Sequence, residues 1–573
     1  YILGKKESQY RDRAVKEFPS HPLTWEIARQ RLRQNPNQRS LQMLLARYSF
    51  DQPGIVGILD QIMYQATSTS ADVSLKPEDW EVIALGYWEN NIYGKAASAY
   101  SRAPSRPVNL YRVGRGFQLD RKRESAINGY EDLIKAFPDA TETGDALLRL
   151  ADMSKTPQDA IPYLDRVIAK FPDQAGKSLT KKADILDKLN NKKAAEEARK
   201  VLISKFGKSE EAAEYRWEMA EKKAAAKDYK GAWQWAGPIP TTNHESILAP
   251  RAGFWVGKWA TELGRKEDAT KAFEYVIAEF PFSYYAWRSA AIIGLNVGNF
   301  NSVRQMTPAI SPPERPVPLA GSETLRELYL LGEDEDAWMH WQTEFVNKKQ
   351  PTIKEQFTEG LMRMSQGEYL IGIAKISTLE DRETPEEKAE YEQLRKQIYY
   401  WRARYPFPYQ SEIKNWSQQR QLNPLLVTAL MRQESRFEKK IRSSVGATGL
   451  MQVMPSTGKW IAEKIKLEKF DLENPDDNIK LGTWYLDHTH EQYDNNSLLA
   501  IASYNAGPGN VSKWLRELPT SDPDLFVEDI PFRETKNYVR QVFGNYWNYL
   551  RLYNPEIAQL VAKYSDEQPK VPQ

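Results

Sequence analysis

An aromatic residue followed by a helix breaker recurs at near-constant spacing in the first half of this chain, and few folds accept such a pattern. YEDLIKAFPDA puts Phe137-Pro138 at the end of an amphipathic helix pattern. LDRVIAKFPDQ does the same with Phe171-Pro172, 34 residues later, and ARKVLISKFGKS with Phe206-Gly207, 35 further on. FEYVIAEFPF repeats the signal at Phe280-Pro281, 74 residues on, about two periods. KEFPSHP, at Phe18-Pro19, reads as an outlying copy. Each unit ends a helix with an aromatic able to pack into its neighbour, and Pro or Gly then stops the helix.

A period near 34 matches the tetratricopeptide class of helix pairs. Residues 1–312 are therefore expected to form an α-superhelix of tetratricopeptide-like repeats with a broad concave face. Such a face either holds a long polymer or partner protein, or is a scaffold with no ligand of its own. Two breaks divide the rest of the chain. Thr307 to Pro318 holds five prolines in twelve residues, which excludes helix and reads as a linker or wrapping segment. A second helical block, about Thr324 to Arg404, gives an expected linker domain at 313–404. Within it the acidic run from Gly332 to Asp336 reads as a solvated turn. Tyr405-Pro-Phe-Pro-Tyr409 then enforces an extended path into a last domain, 405–573, and its aromatics are expected to dock the two domains together.

Composition bounds the function classes. At 573 residues the chain is long enough for about three or four domains. Charged residues are 27% and hydrophobic ones 41%, a globular balance, and the net charge of +2 offers no basic field for nucleic acid. With no cysteine, disulfides, thiol nucleophiles and cysteine-ligated metals are excluded. No run of eighteen apolar residues occurs to span a membrane. The chain begins at Tyr1 without methionine or a secretory apolar stretch, so it reads as a mature or trimmed form.

The chemistry concentrates between Asn423 and Gly458. Asn423 is a good N-cap, and Pro424 suits the first helical position. Leu426, Leu430 and Met431 recur at helical spacing, so an apolar face should carry Gln433-Glu434-Ser435 to the edge of a core. A carboxyl held against apolar surface resists ionisation, as a general acid must. Gly446 and Gly449 suit a tight loop that lets backbone approach a ligand. Further helices are expected over Asp476–Asp494, through LLAIASYN after Asn496-Ser497, and over Glu534–Tyr553. His488 and His490, two apart, share no helix face, lack a third metal ligand at a recognised spacing and are expected at the surface. Glycoside cleavage commonly uses two carboxylates. Asp471, Glu473, Asp476, Asp477, Asp487 and Glu534 are all available as partners of Glu434, and spacing does not rank them.

Four motifs in order carry a resemblance: RQESRF, SSVGATGLMQVMP, ASYNAGPGNV (Ala502 to Val511) and IPFRETKNYV (Ile530 to Val539). They resemble those of the soluble lytic murein transglycosylases, over roughly Tyr405 to Tyr553. The resemblance implies a lysozyme-like α domain of the goose type after an α-superhelix, making the whole mainly α. It implies cleavage of peptidoglycan glycan strands without cofactor or metal, in the periplasm or cell envelope. Glu434 would serve as general acid and then base, leaving a 1,6-anhydro end. Ser443 would hydrogen-bond near the acid and the sugar, and Gln452 and Met454 would line the groove. Met454 reads equally well as core. Tyr504 would orient the acid, Asn505 would hold the N-acetyl amide or backbone, and Glu534 would bind substrate. A hydrolytic muramidase of the same fold, and a non-catalytic scaffold binding peptidoglycan and other cell-wall enzymes through its repeats, are the alternatives.

Overall fold

The computed structural model describes residues 7–67, 75–348, 350–382, 384–519 and 521–566. Among them there are helices, no strands, and two isolated bridges, Arg442 with Thr448 and Thr448 with Val453. No described helix is long and apolar enough to cross a membrane. The chain divides into two compact units, Tyr1–Tyr215 and Arg216–Gln573.

In the first unit the aromatic-breaker pairs do what their spacing predicts. Helix Arg123–Ala136 is C-capped by Phe137, helix Pro157–Lys170 by Phe171, and helix Lys192–Lys205 by Phe206. Each ring packs into a local core: Phe137 beside Tyr130 and Leu150, Phe171 with Leu147 and Leu164, Phe206 beside Leu179 and Leu202. Full burial of such a ring contributes about 1.5–3 kcal/mol, approached by Phe171, while the half-buried Phe137 and Phe206 contribute less. Pro172 has a second use, because it opens the next helix, Pro172–Lys188, where its missing N–H costs nothing. The outlying copy stops helix Glu7–Glu17, but Phe18 is 58% exposed and does not anchor a core.

The second unit holds the last aromatic-Pro end and the motif region. Phe280 caps helix Lys266–Glu279 and packs on the His244 ring at 4.8 Å. The proline-rich run is extended and tied down: Ser311 N–H donates to Tyr553 O at 2.8 Å, and Arg315 pairs with Asp334 at 2.5 Å. The acidic run is not all turn. Gly332, at φ 89°, ends helix Glu323–Leu331, and the acids after it open helix Asp334–Glu344, where the helix dipole favours them. Around Tyr405–Tyr409, Tyr549 OH donates to Pro406 O (2.8 Å) and Tyr553 OH to Tyr405 O (2.9 Å), while Phe407 is buried against both rings.

Candidate active site

Helix Pro424–Ser435 is the axis of the site. Asn423 caps it, its Oδ1 accepting from Leu425 N–H at 3.0 Å, and Nδ2 donates to Val303 O at 3.0 Å. Every residue from Leu425 to Arg432 is buried, so this is a central helix covered on all sides, not one with a single inward face. It ends at Arg436 (φ 48°) and Phe437 (φ 66°), a left-handed pair that turns the chain sharply just after Glu434. Ser435 Oγ holds that turn, donating to Leu450 O at 2.7 Å and accepting from Phe437 N–H at 3.0 Å.

Glu434 keeps part of its surface open, yet protein surrounds the carboxyl. Burial pushes its pKa from 4.5 to about 7; the charge of Glu534 adds to the rise and a hydrogen bond from Tyr538 opposes it. The hydroxyl on the acid is therefore that of Tyr538, which donates to Oε1. Oε2 is left to carry the proton. This corrects the role expected of Tyr504, whose OH donates to Met451 O at 2.9 Å. Burial and the neighbouring Glu434 charge raise both phenols well above their usual range, so both stay protonated donors. Tyr538 lies inside IPFRETKNYV, four residues after Glu534, one turn along the same helix face. That periodicity was its available signal.

The loop from Ile441 to Met454 is tied to the end of the acid's helix, where Leu450 O accepts from Ser435 Oγ. Ser443 bonds within its own turn: its N–H donates to Ala447 O (2.9 Å) and its Oγ accepts from Ala447 N–H (3.0 Å). Gln452, at φ 48°, sends Nε2 to Gly449 O (2.9 Å) and Ile441 O (3.3 Å), pinning the loop from within. Gly449, at φ 81°, is required: a Cβ there would sit 2.2 Å from Asn478 Nδ2 and 2.3 Å from Leu472 O. Asn478, not expected from sequence, staples the loop; its Nδ2 donates to Thr448 O and Leu472 O, and its Oδ1 accepts from Met451 N–H. Met454 is 36% exposed at the N-cap of helix Pro455–Lys464, so it is not core.

Asn505, on helix Ser497–Ala506, accepts from Thr535 Oγ1 at 2.7 Å. Glu534 is exposed in the first turn of helix Arg533–Tyr553 and reaches Glu434 through its charge. The structure thus gathers Glu434, Tyr504, Glu534 and the unanticipated Tyr538 electrostatically, with Asn505 tied to the helix of Glu534, while the bonds of Ser443 and Gln452 stay in the loop. His490 departs from its expected surface position. It is fully buried between Leu486 O (2.8 Å) and Ser497 Oγ (2.9 Å), and burial lowers its pKa to about 4. Side-chain spacing separated the two histidines by face but carried no information on burial. No group of three or more His, Asp or Glu among the described residues is placed to hold a metal ion.

A raised acid on a buried helix, facing a glycine loop and two tyrosines, is the kind of site that glycoside-cleaving α domains use. Residues 411–527 match the family model described as Transglycosylase SLT domain. The soluble lytic murein transglycosylase of Escherichia coli K12 is 37% identical over 153 residues, 26% of this chain and 24% of that relative. The putative soluble lytic murein transglycosylase of Haemophilus influenzae is 38% identical over 168 residues, 29% of this chain and 28% of its own length. The matched stretch therefore spans about a quarter of these curated relatives. A solved structure of an inactive mutant of the lytic transglycosylase Slt from Pseudomonas aeruginosa aligns over 96% of both chains, with a TM-score of 0.51 and 19% identity, a likeness of fold. The resemblance and the mainly α architecture expected from the motifs are borne out.

Proposed function

We propose that this protein is a peptidoglycan lytic transglycosylase of the cell envelope. It cleaves the β-1,4 bond between N-acetylmuramic acid and N-acetylglucosamine and leaves a 1,6-anhydro-muramoyl end. The observation that carries the reading is the Glu434 carboxyl, held by Tyr538 and raised to about 7, inside the stretch that matches the transglycosylase model. Protonated Glu434 gives its proton to the glycosidic oxygen as the bond to C1 breaks. The substrate's own N-acetyl oxygen stabilises the positive charge developing at C1. The Glu434 carboxylate then takes the proton of the C6 hydroxyl, and the C6 oxygen bonds to C1. The enzyme ends protonated as it began, and no water is consumed. A pKa near neutrality serves both transfers.

A single acid is favoured over a carboxylate pair because the other carboxylate that Glu434 senses, Glu534, is exposed. Glu534, Met454 and Asn505 would contact the sugars. Ser443 and Gln452 would shape the loop that meets them, and Tyr504 would fix that loop through Met451. The division into repeats at 1–312, a linker at 313–404 and a catalytic domain at 405–573 belongs to the same reading, with the repeats holding glycan strands or docking other cell-wall enzymes.

Mass spectrometry of soluble products from purified peptidoglycan, native beside Glu434→Gln, tests it. Products lighter by a water than their reducing-end counterparts, absent with the variant, are expected. Reducing-end products would make the enzyme a hydrolase. No product from the folded native chain would leave a binding scaffold.

A further inference from the structure

The helix that brings Tyr538 to the acid is held from its other side by one carboxylate. Tyr538 and Arg540 stand two residues apart on helix Arg533–Tyr553, about 200° around its axis, so they leave it in nearly opposite directions. Tyr538 OH donates to Glu434 Oε1, and Arg540 Nη2 donates to Glu528 Oε2. Glu528 lies on the preceding helix, Pro523–Asp529, with its side chain 12% exposed. Oε2 also accepts from Arg251 Nη2, and Oε1 accepts from Tyr285 OH at 3.3 Å and Trp255 Nε1 at 3.4 Å. Four donors thus fill the acceptor sites of one carboxylate. Arg251 and Trp255 belong to helix Ala249–Glu262, and Tyr285 to helix Tyr284–Ile292. Burial opposes the charge of Glu528, but Arg251 and Arg540 outweigh it and hold the carboxyl below its usual 4.5, ionised.

We propose that Glu528 is a positioning residue for the reaction: by holding Arg540 it fixes the rotation and advance of the helix, and so keeps the Tyr538 hydroxyl on the Glu434 carboxyl. The inference rests on the proposed glycan-cleaving function. Asp524, the other buried carboxylate of the short helix, takes its cations, Arg288 and Lys258, from the same two neighbouring helices. Glu528 adds the tie to the helix of Tyr538. Only Ile530, Pro531 and Phe532 separate the two helices in sequence, so a displacement of the first is passed to the start of the second. The tolerance is small. An O–H to O hydrogen bond is made over about 2.5–3.0 Å, so a slide of about 1 Å, less than the rise of one helical residue, breaks it.

The test reads the acid through its pH profile. Native protein, Glu528→Gln, Tyr538→Phe and the double variant are compared by kcat/KM on uncrosslinked glycan strands from pH 4 to 9, with folding checked by circular dichroism. Glutamine keeps the size of Glu528 but leaves two guanidiniums without a counter-charge. Losing the Tyr538 hydrogen bond disfavours the Glu434 carboxylate, so Glu528→Gln is expected to move the alkaline limb up by about one pH unit and lower the rate about tenfold. Added to Tyr538→Phe, it is expected to leave the limb in place and change the rate less than about twofold, because the contact is already gone. A limb unmoved by Glu528→Gln, even with a lower rate or stability, overturns the proposal, and so do effects that multiply in the double variant. If Glu528→Gln does not fold, Arg540→Lys, which keeps the charge and loses the fork, takes its place with the same expected direction and the same refuting result. Reducing-end products from the native chain would refute the lyase and leave this test standing. A native chain that cuts no strand overturns both.

Discussion

Replacing the acid should make this protein more stable, by an amount that pH switches on. In the folded chain the Glu434 carboxyl titrates near 7, against an ordinary value of 4.5. Below about pH 4.5 it is neutral in folded and unfolded chains alike, and Glu434→Gln, its neutral isostere, should change nothing. Between about 4.5 and 7 the unfolded chain loses the proton while the folded chain keeps it. The folded state then binds more protons, and native stability falls as pH rises. Above about pH 7 both are ionised and the penalty is complete. At about 1.4 kcal/mol per pH unit, the gap between 4.5 and about 7 corresponds to about 3 kcal/mol, a ceiling because part of the side chain meets solvent. Glutamine escapes this penalty and can still accept from Tyr538. The assay is urea unfolding of both proteins from pH 4 to 9, following the transition in which the Arg216–Gln573 unit unfolds. The variant's advantage should be absent at pH 4, grow through pH 5–7 and level off above. An advantage constant with pH, or a native chain more stable than the variant at pH 9, would refute the claim that burial of this carboxyl raises its pKa.

Two further substitutions probe the same site. Tyr538→Phe removes the hydrogen bond that favours the charged form, so the Glu434 pKa should rise beyond about 7. The alkaline limb of the kcat/KM profile should move upward while the rate drops about tenfold; an unmoved limb would remove Tyr538 from the acid's environment. Gly449→Ala must place a Cβ at φ 81° against Leu472 O and Asn478. It should cost about 2–4 kcal/mol, read as a lower urea midpoint with unchanged slope, and a near-native midpoint would show that the loop relaxes cheaply.

What the sequence made legible was local. The Asn423-Pro424 helix start, the Asn496 cap and the Phe-Pro helix ends are each decided within a few residues of chain, by one side chain or one missing N–H, and they stand where expected. Glu434 stood out in the sequence because its motif neighbours are contiguous. The partner of its carboxyl did not, because Tyr538 is 104 residues away and only packing brings it there. Tyr504 was assigned to the acid on the strength of its motif, and the i to i+4 spacing of Tyr538 from Glu534 marked a second phenol without telling which of the two reaches the carboxylate. Asn478 and His490 escaped for a related reason. A polar residue in a helix reads as solvent-facing unless its partners are known, and theirs are backbone carbonyls, the Met451 N–H and the Ser497 hydroxyl.

The last aromatic-Pro helix end and the acid, separate features along the chain, meet on one helix. Arg533–Tyr553 carries Tyr538 and lies against the last aromatic-Pro end: Trp547 Nε1 donates to Pro281 O (2.6 Å), Asn548 to Phe282 O (2.9 Å), and Phe543 stacks on Trp287 at 4.8 Å. The short helix before it, Pro523–Asp529, is fixed by charge. Asp524, 4% exposed, takes Arg288 at 2.6 Å and Lys258 at 3.1 Å, and Glu528 is shared by Arg251 and Arg540. Buried ion pairs add little net stability over apolar packing, but a misaligned one is costly, so they select one register. Three of these cations, Arg288, Arg251 and Lys258, come from helices Tyr284–Ile292 and Ala249–Glu262, and the fourth, Arg540, stands two residues from Tyr538. The position of the hydroxyl on the acid is therefore set by helices Ala249–Glu262 and Tyr284–Ile292 as much as by the helices of the motif region. A chain cut at the Tyr405–Tyr409 segment would keep Glu434 and Tyr538 and lose what aligns them.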